Sequence, residues 1–382
     1  MRRVNRFALA SFIFLFLCCP PAHAQMPAGF TTLEIGDAAP DFDLPGIDDK
    51  NHQLAQYADA KVLMVLFTCN HCPTAQAYEQ RLNELYADYS EKGVALIAIS
   101  PNDPTAVRLD ELGYSDLGDT LADMKVRAKE AGYKYPYLYD GENQKVSLAY
   151  GVLATPHVFI FDQQRKLQYK GRIDDSEVKT PTNHDAKNAI DALLADKEVP
   201  VQVTRPFGCS TKWMTKRASA AKSIKKWSAE PVELSTIDQT ELASLVANKT
   251  DKYRLVNIWA TWCAPCIEEL PAFVEMNRMY RKRPFEMVTV CADAIDAKEN
   301  ALKILTDKNV SCRNVLFDST EDQDVLFDTV DAKWEGGVPY TLLIAPGGEV
   351  IYRQHAAIDP AALKKIIADK LGRTYASKKK KK

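Results

Sequence analysis

A chain of 382 residues, 46% of them hydrophobic, is long enough to bury more than one core, and roughly 150 residues per domain gives two domains. The formal charge of −2 and a pI near 6.3 supply no general basic field, which excludes nucleic acid as an expected partner. Lys378–Lys382 are a local exception, read as part of a solvated, disordered tail over 376–382.

In chain order, the first signal is a targeting one. Arg2, Arg3 and Arg6 precede an apolar run from Phe7 to Cys19 and then Ala22-His23-Ala24, the order of a secretory signal peptide over 1–24. The run is shorter than the roughly 20 residues that span a bilayer. Phe16 and Leu17 are bulky where lipidation at Cys18 would want small residues. The mature chain is therefore expected across the inner membrane, in the periplasm, with no integral membrane segment and in an environment that permits disulfides. Seven cysteines remain: Cys69, Cys72, Cys209, Cys263, Cys266, Cys291 and Cys312. An odd number leaves at least one thiol free, transient or paired between molecules.

The first predicted domain covers 31–213. "KVLMVLFTC" reads as a buried strand that ends at Cys69, and Ala77, Leu82, Leu85, Tyr86 and Tyr89 recur with helical spacing from Pro73 to about Lys92. "VALIAIS" is a second buried strand, 105–131 a polar helical insertion, and "YPYLYD", "ATPHVFIFD" and "KLQYKG" are further strands. A closing helix covers 184–196, stopped by Pro200. Residues 214–230 are basic and rich in small side chains, a linker or loosely held helix. The second domain, 231–375, repeats the order. A helix near 238–248 leads to strand "YRLVNIW" and a cysteine pair that opens a helix over 264–282. Strand "FEMVTVCAD", helix 296–307, strands "NVLFD", "YTLLIAP" and "EVIYR", and helix 360–371 follow. Both halves are α/β with a mixed sheet flanked by helices.

Cys69–Cys72 and Cys263–Cys266 each stand between a strand and a helix. The helix dipole and unpaired N–H groups would stabilise a thiolate at the first cysteine, and the second, one turn in, could attack a mixed disulfide. His71, just before the second cysteine of its pair, is placed to stabilise the Cys69 thiolate and raise the reduction potential.

"WCAPC" with "GGVPYTLLI" resembles the TlpA-like thiol–disulfide reductases of the thioredoxin superfamily. The resemblance implies two tandem thioredoxin-like folds. In the second, Cys263 would be the nucleophile, Cys266 the resolving cysteine, Pro339 a cis-proline and Val338 a substrate-pairing residue, with Asn257 in place of the buried Asp of cytoplasmic thioredoxins. Glu269 would then take the proton of Cys266. "GDAAPDF" and "CNHCP" resemble the redoxin branch, close to the peroxiredoxins, with Thr155–Pro156 as the second cis-proline pair. Against the peroxiredoxin pattern Cys72 falls at the peroxidatic position and Cys69 at its threonine, while Pro156 replaces the peroxide-binding arginine. Leu63 and Ala75 occupy the places of the two buried acids, which leaves the proton path of the first site open.

Structural zinc would need the two pairs brought together, and each sits in its own domain. Cu(I) held by Cys69, His71 and Cys72 is a rival of another class, as is peroxide reduction by Cys72. Cys209, in "GCSTKW", is either a third redox partner or an inert thiol, and Cys291 and Cys312 are either a structural disulfide or two packed free thiols. The sequence thus predicts an exported thiol–disulfide oxidoreductase whose groups are the redox disulfides Cys69–Cys72 and Cys263–Cys266, with no other cofactor or metal. Protein or small-molecule disulfides are the expected substrates, and the resemblance to the TlpA-like reductases implies a membrane thiol transporter as electron donor. The contrast of "CNHC" with "CAPC" suggests an intramolecular relay, in which a reducing second site passes electrons to a more oxidising first one.

Overall fold

The computed structural model describes residues 26–318 and 323–375. The signal-peptide and lysine-tail readings fall outside the described residues. In the first half β1 (Asp43–Pro45) and β2 (Asn51–Gln53) form a hairpin ahead of β3 (Val62–Phe67), α1 (Pro73–Tyr89), β4 (Val94–Ser100), α2 (Leu121–Ala131) and β5 (Tyr137–Tyr139). Then come α3 (Lys145–Tyr150), β6 (Ala154–Thr155), β7 (His157–Phe161), β8 (Leu167–Gly171), α4 (Asp185–Leu194) and β9 (Cys209–Ser210). The sheet order is β5-β4-β3-β7-β8. β3 is buried throughout because both faces are covered: Val62, Met64 and Leu66 enter one core, Leu63, Val65 and Phe67 the other.

The second half runs through β10 (Ser235–Ile237), α6 (Gln239–Ala247), β11 (Tyr253–Trp259), α7 (Ala264–Tyr280), β12 (Phe285–Cys291) and α8 (Lys298–Asp307). It closes with β13 (Arg313–Phe317), α9 (Gln323–Val330), β14 (Tyr340–Ile344), β15 (Val350–His355) and α10 (Pro360–Leu371). Its order, β10-β13-β12-β11-β14-β15, repeats that of the first sheet with β10 added at the edge. The central strands β3 and β11 each pair in parallel with the strand after their helix, and antiparallel with the strand that follows a cis-proline. Even the irregularities match, at Ile160/Phe161 and Leu343/Ile344, after the fourth residue of β7 and of β14. These are two tandem thioredoxin folds.

Two segments differ from expectation. The insertion over 105–131 is not one helix: short 3₁₀ turns at Pro104–Ala106 and Leu109–Glu111 lead into an extended strap, and α2 starts only at Leu121. The linker is largely the helix α5 (Arg217–Ser228), tied at both ends. Arg217 pairs with Asp103 of the first domain, and Trp227, near the other end, lies under the Arg281 guanidinium of the second.

The strap also joins the domains. Arg283 Nη1 donates to Gly113 O at 2.6 Å while its guanidinium lies 3.7 Å from the Tyr114 ring centre, and Tyr280 reaches the Ser115 carbonyl at 3.3 Å. Arg373 meets Asp116 at 2.5 Å, and Lys282 pairs with Asp110. The domains thus meet at the C-terminal end of α7.

Candidate functional site

In the second domain Cys263 caps α7 and is disulfide-bonded to Cys266, with Cα atoms 5.3 Å apart. The Cys266 N–H points at Cys263 Sγ at 3.3 Å, the donor array that favours a thiolate there after reduction. Val338–Pro339 is cis and leads directly into β14. Trp262, 73% exposed, stands beside the buried pair. Glu269 lies one turn beyond Cys266 on the same helix and is buried. Its carboxylate accepts from Asn257 Nδ2 at 2.9 Å and from the Ile358 N–H at 3.0 Å. Burial still lifts its pKa above the ordinary value, against those two bonds, which suits a proton acceptor.

The first domain uses its cysteines in a different register. Phe67 pairs with His157, the residue after cis-Pro156, as Ile258 pairs with Tyr340 after cis-Pro339. Five residues on from Phe67 is Cys72, and five on from Ile258 is Cys263. The helix start agrees: Cys72 caps α1, with Pro73 at its first position. Cys72 therefore matches Cys263, and Ala75 stands at the position of Cys266. Cys69 sits in the turn before the helix, its Sγ 3.1 Å from Thr155 Oγ1.

Two expectations change with this register. The first site does have a buried acid, Asp119, delivered by the end of the strap. It is fully buried and accepts from His71 Nδ1 at 2.6 Å, Asn102 Nδ2 at 2.8 Å and the Asn70 N–H at 2.9 Å. His71, 1% exposed, faces this carboxylate rather than solvent. Burial disfavours its charge, but Asp119 outweighs that and raises its pKa, while the imidazolium and its hydrogen bond hold Asp119 below the ordinary carboxylate value against its own burial.

The surroundings favour a thiolate at Cys72 over one at Cys69, although Cys72 Sγ also lies 3.3 Å from the Thr155 carbonyl oxygen, where a thiol would donate. Burial pushes the Cys72 thiol up, but hydrogen bonds from Cys209 and Cys69 and the charge of His71 bring it well below the ordinary value. Cys69 goes the other way, raised by burial, by its bond to Cys72 and by the nearby Asp119. Cys209 is raised chiefly by donating to Cys72. Its backbone N–H also points at Cys72 Sγ, 3.4 Å away.

Cys291 and Cys312 are both free. In the sheet register Cys291 lies opposite Leu316, four residues from Cys312. Cys291 donates to Asp293 and Cys312 to Asn314 instead.

Two stretches of the chain, 35–170 and 223–353, match the AhpC/TSA family. The chain belongs to the AhpC/TSA family. Among individual AhpC/TSA-like relatives, the thiol–disulfide oxidoreductase ResA of Geobacillus thermodenitrificans is 23% identical over 198 residues, 50% of this chain and 99% of the relative. ResA of Oceanobacillus iheyensis is 34% identical over 105 residues, 26% of this chain and 55% of its own. A hypothetical protein from Sinorhizobium meliloti, of known structure, is 34% identical across 48% of this chain and 97% of its own, with a TM-score of 0.43. This AhpC/TSA protein is a thiol–disulfide oxidoreductase of the thioredoxin type. No helix among the described residues is long and apolar enough to cross a membrane.

Proposed function

We propose that the protein is exported to the periplasm and exchanges disulfides with protein or small-molecule substrates at Cys263–Cys266, with a second exchange site around Cys72. The observation that carries the reading is the Cys263–Cys266 disulfide at the start of α7, with Glu269 buried beside it. In the reductive direction the Cys263 thiolate attacks a substrate disulfide, forming a mixed disulfide and releasing one thiolate. Glu269 takes the proton of Cys266, whose sulfur attacks Cys263 and frees the second substrate thiolate. The two electrons passed to the substrate leave Cys263–Cys266 oxidised and must be replaced, and a membrane thiol transporter is the donor class that fits an exported chain. Val338 and Trp262 would receive the substrate, Val338 by pairing of its free backbone groups with an extended chain. At the first site Thr155 and Pro156 occupy the corresponding place, and His71 tunes Cys72.

A relay from Cys263–Cys266 to the first site is the most specific form of the proposal. α7 spans 17 residues, so about 25 Å separates Cys263 from the end of the helix that meets the first domain. Contact of the two sites within one chain therefore requires the domains to swing apart, and contact between two molecules does not.

One observation favours a second reading, a soft-metal site. Donor atoms of Cys69, His71 and Asp119 all lie within 4.8 Å of one another, and His71 Nε2 is buried with no hydrogen-bond partner among the described residues. With Nδ1 held by a carboxylate, Nε2 is free as in metal-bound histidines, and Cys69 and Cys72 add sulfur ligands suited to Cu(I). Peroxide reduction by Cys72 draws support from its position at the start of α1, without an arginine at Pro156.

The deciding experiment follows reduction of insulin disulfides by dithiothreitol with wild-type protein, Cys263→Ser and Cys72→Ser, alongside metal analysis of the purified chain. Exchange lost in Cys263→Ser supports the reading. Full activity in Cys263→Ser overturns it, and stoichiometric copper lost in Cys69→Ser moves the first site to metal binding.

A further inference from the structure

In the second domain no strand among the described residues pairs with Val338, the residue before the cis-proline. The matching position in the first domain is taken. β9 lies antiparallel to β6 with Cys209 directly opposite Thr155, the residue before cis-Pro156. An extended substrate would add its own strand at that edge. Here the protein's own chain fills the edge and presents a cysteine there.

The placement is built in from both sides of β9. Gly208 has φ +143, and a Cβ there would come 2.1 Å from the Thr155 carbonyl oxygen, so only glycine lets the segment run this close. Downstream, Lys212 N–H donates to Asn102 Oδ1 at 2.8 Å, Asp103 N–H donates to Lys212 O at 3.0 Å, and Thr211 Oγ1 donates to Val152 O at 3.1 Å. Trp213 is then buried in the core beneath, edge to face with Phe30 at 5.9 Å. "GCSTKW" is thus a glycine for approach, a cysteine for delivery and an anchor.

Three sulfurs gather at this point. Cys72 caps α1, Cys69 precedes it, and Cys209 reaches it from across β6. Ala75 occupies the position from which Cys266 resolves in the other domain.

Resting on the reading of Cys72 as an exchange nucleophile, we infer that Cys209 is its resolving cysteine and that the first site takes small-molecule disulfides rather than extended polypeptides. The Cys72 thiolate attacks a disulfide RSSR, forming Cys72–S–S–R and releasing RS⁻. The Cys209 sulfur attacks Cys72 Sγ, its proton passes to the departing sulfur, and RSH leaves as Cys72–Cys209 forms. One substrate disulfide is reduced by two electrons and one protein disulfide is made. Cys69 stays a thiol that donates to the Cys72 thiolate before reaction.

The test uses the reduced full-length protein and 2-hydroxyethyl disulfide, with acid quenching and mapping of unreduced peptides by mass spectrometry. The expected product is a Cys72–Cys209 link, and Cys209→Ser, which keeps the β9 backbone, should leave the hydroxyethylthio group on Cys72 at least tenfold longer. A Cys69–Cys72 link formed at the same rate in wild type and Cys209→Ser overturns the role of Cys209 and leaves Cys72 as a nucleophile. No adduct at Cys72 while Cys263 reacts normally removes the exchange site itself, and the inference with it. For substrate class, a disulfide-linked pair of unstructured decapeptides is compared with 2-hydroxyethyl disulfide. The peptide should react at Cys72 at least tenfold more slowly relative to its rate at Cys263. Equal preference at both cysteines overturns the selectivity.

Discussion

Asp119 and His71 form a buried ion pair, and its effect on stability has a definite pH window. The His71 pKa is raised by folding, so its contribution is complete below the unfolded value of about 6.5 and is lost as pH rises through the folded one. The Asp119 pKa is lowered, so its contribution is present above about 3.9 and is lost as pH falls through the lower folded value. The pair therefore stabilises most between about pH 4 and 6.5. Asp119→Asn should reduce stability by about 3 kcal/mol in that window, because it leaves a buried imidazolium without its anion, and by less at alkaline pH. Urea unfolding of both proteins across pH reads this directly, and a pH-independent difference would mean that Asp119 acts only as a hydrogen-bond acceptor. Glu269 is tested through kinetics. Its burial raises its pKa, so the resolution step should slow as pH falls through a value above the ordinary carboxylate range, and Glu269→Gln should lose that limb and about 10²-fold in rate. A variant that keeps the limb would place the titration elsewhere. Of these residues, Glu269 was legible from a family pattern and a helical spacing of three. Asp119 was not: it is 48 residues from His71, and only the folded strap brings them together.

The elements around each cysteine pair were legible because their signals are local. β3 and β11 are unbroken apolar runs, α10 matches its predicted bounds of 360–371, and both cis-prolines stand where expected. The different use of the two CxxC motifs is where identical spacing misled. α1 starts after the second cysteine of its pair and α7 after the first, so the dipole acts on Cys72 in one domain and Cys263 in the other. Pro73 at the first helical position was the signal that could have revealed this. β9 is only two residues long and carries no periodicity, so its pairing with β6 could not be read from "GCS". Its dependence on Gly208 can be measured. Gly208→Ala forces a methyl group onto the Thr155 carbonyl in a backbone region almost reserved for glycine, and should destabilise the first domain by about 1–3 kcal/mol. The same change should slow Cys72–Cys209 closure after oxidation while leaving Cys263–Cys266 chemistry unchanged. Closure at the wild-type rate would show that β9 does not need this approach.

At the scale of the whole molecule the duplication was legible, since the order of strands and helices recurs in the sequence, but the joint between the halves was not. The strap that supplies Asp119 to the first site also carries Asp110, Gly113, Tyr114, Ser115 and Asp116 onto the ends of α7 and α10. One segment thus serves the cysteine cluster of the first domain and the domain interface, and both depend on contacts distant in sequence. This joint bears on electron transfer. It fixes the C-terminal end of α7 against the first domain, about 25 Å along the helix from Cys263. Cys263 and the exposed Trp262 beside it therefore lie away from that joint, while the edge at Thr155 is filled by β9. Transfer from reduced Cys263–Cys266 to an oxidised first site should then occur between molecules. Chains carrying Cys69→Ser, Cys72→Ser and Cys209→Ser, reduced at the second site, can be mixed with chains carrying Cys263→Ser and Cys266→Ser, oxidised at the first, and followed by alkylation and mass spectrometry. The rate should rise in proportion to protein concentration and match that of wild-type chains prepared with the same oxidation states. A wild-type rate that is faster and independent of concentration would mean that the strap releases α7 and lets the two sites of one chain meet.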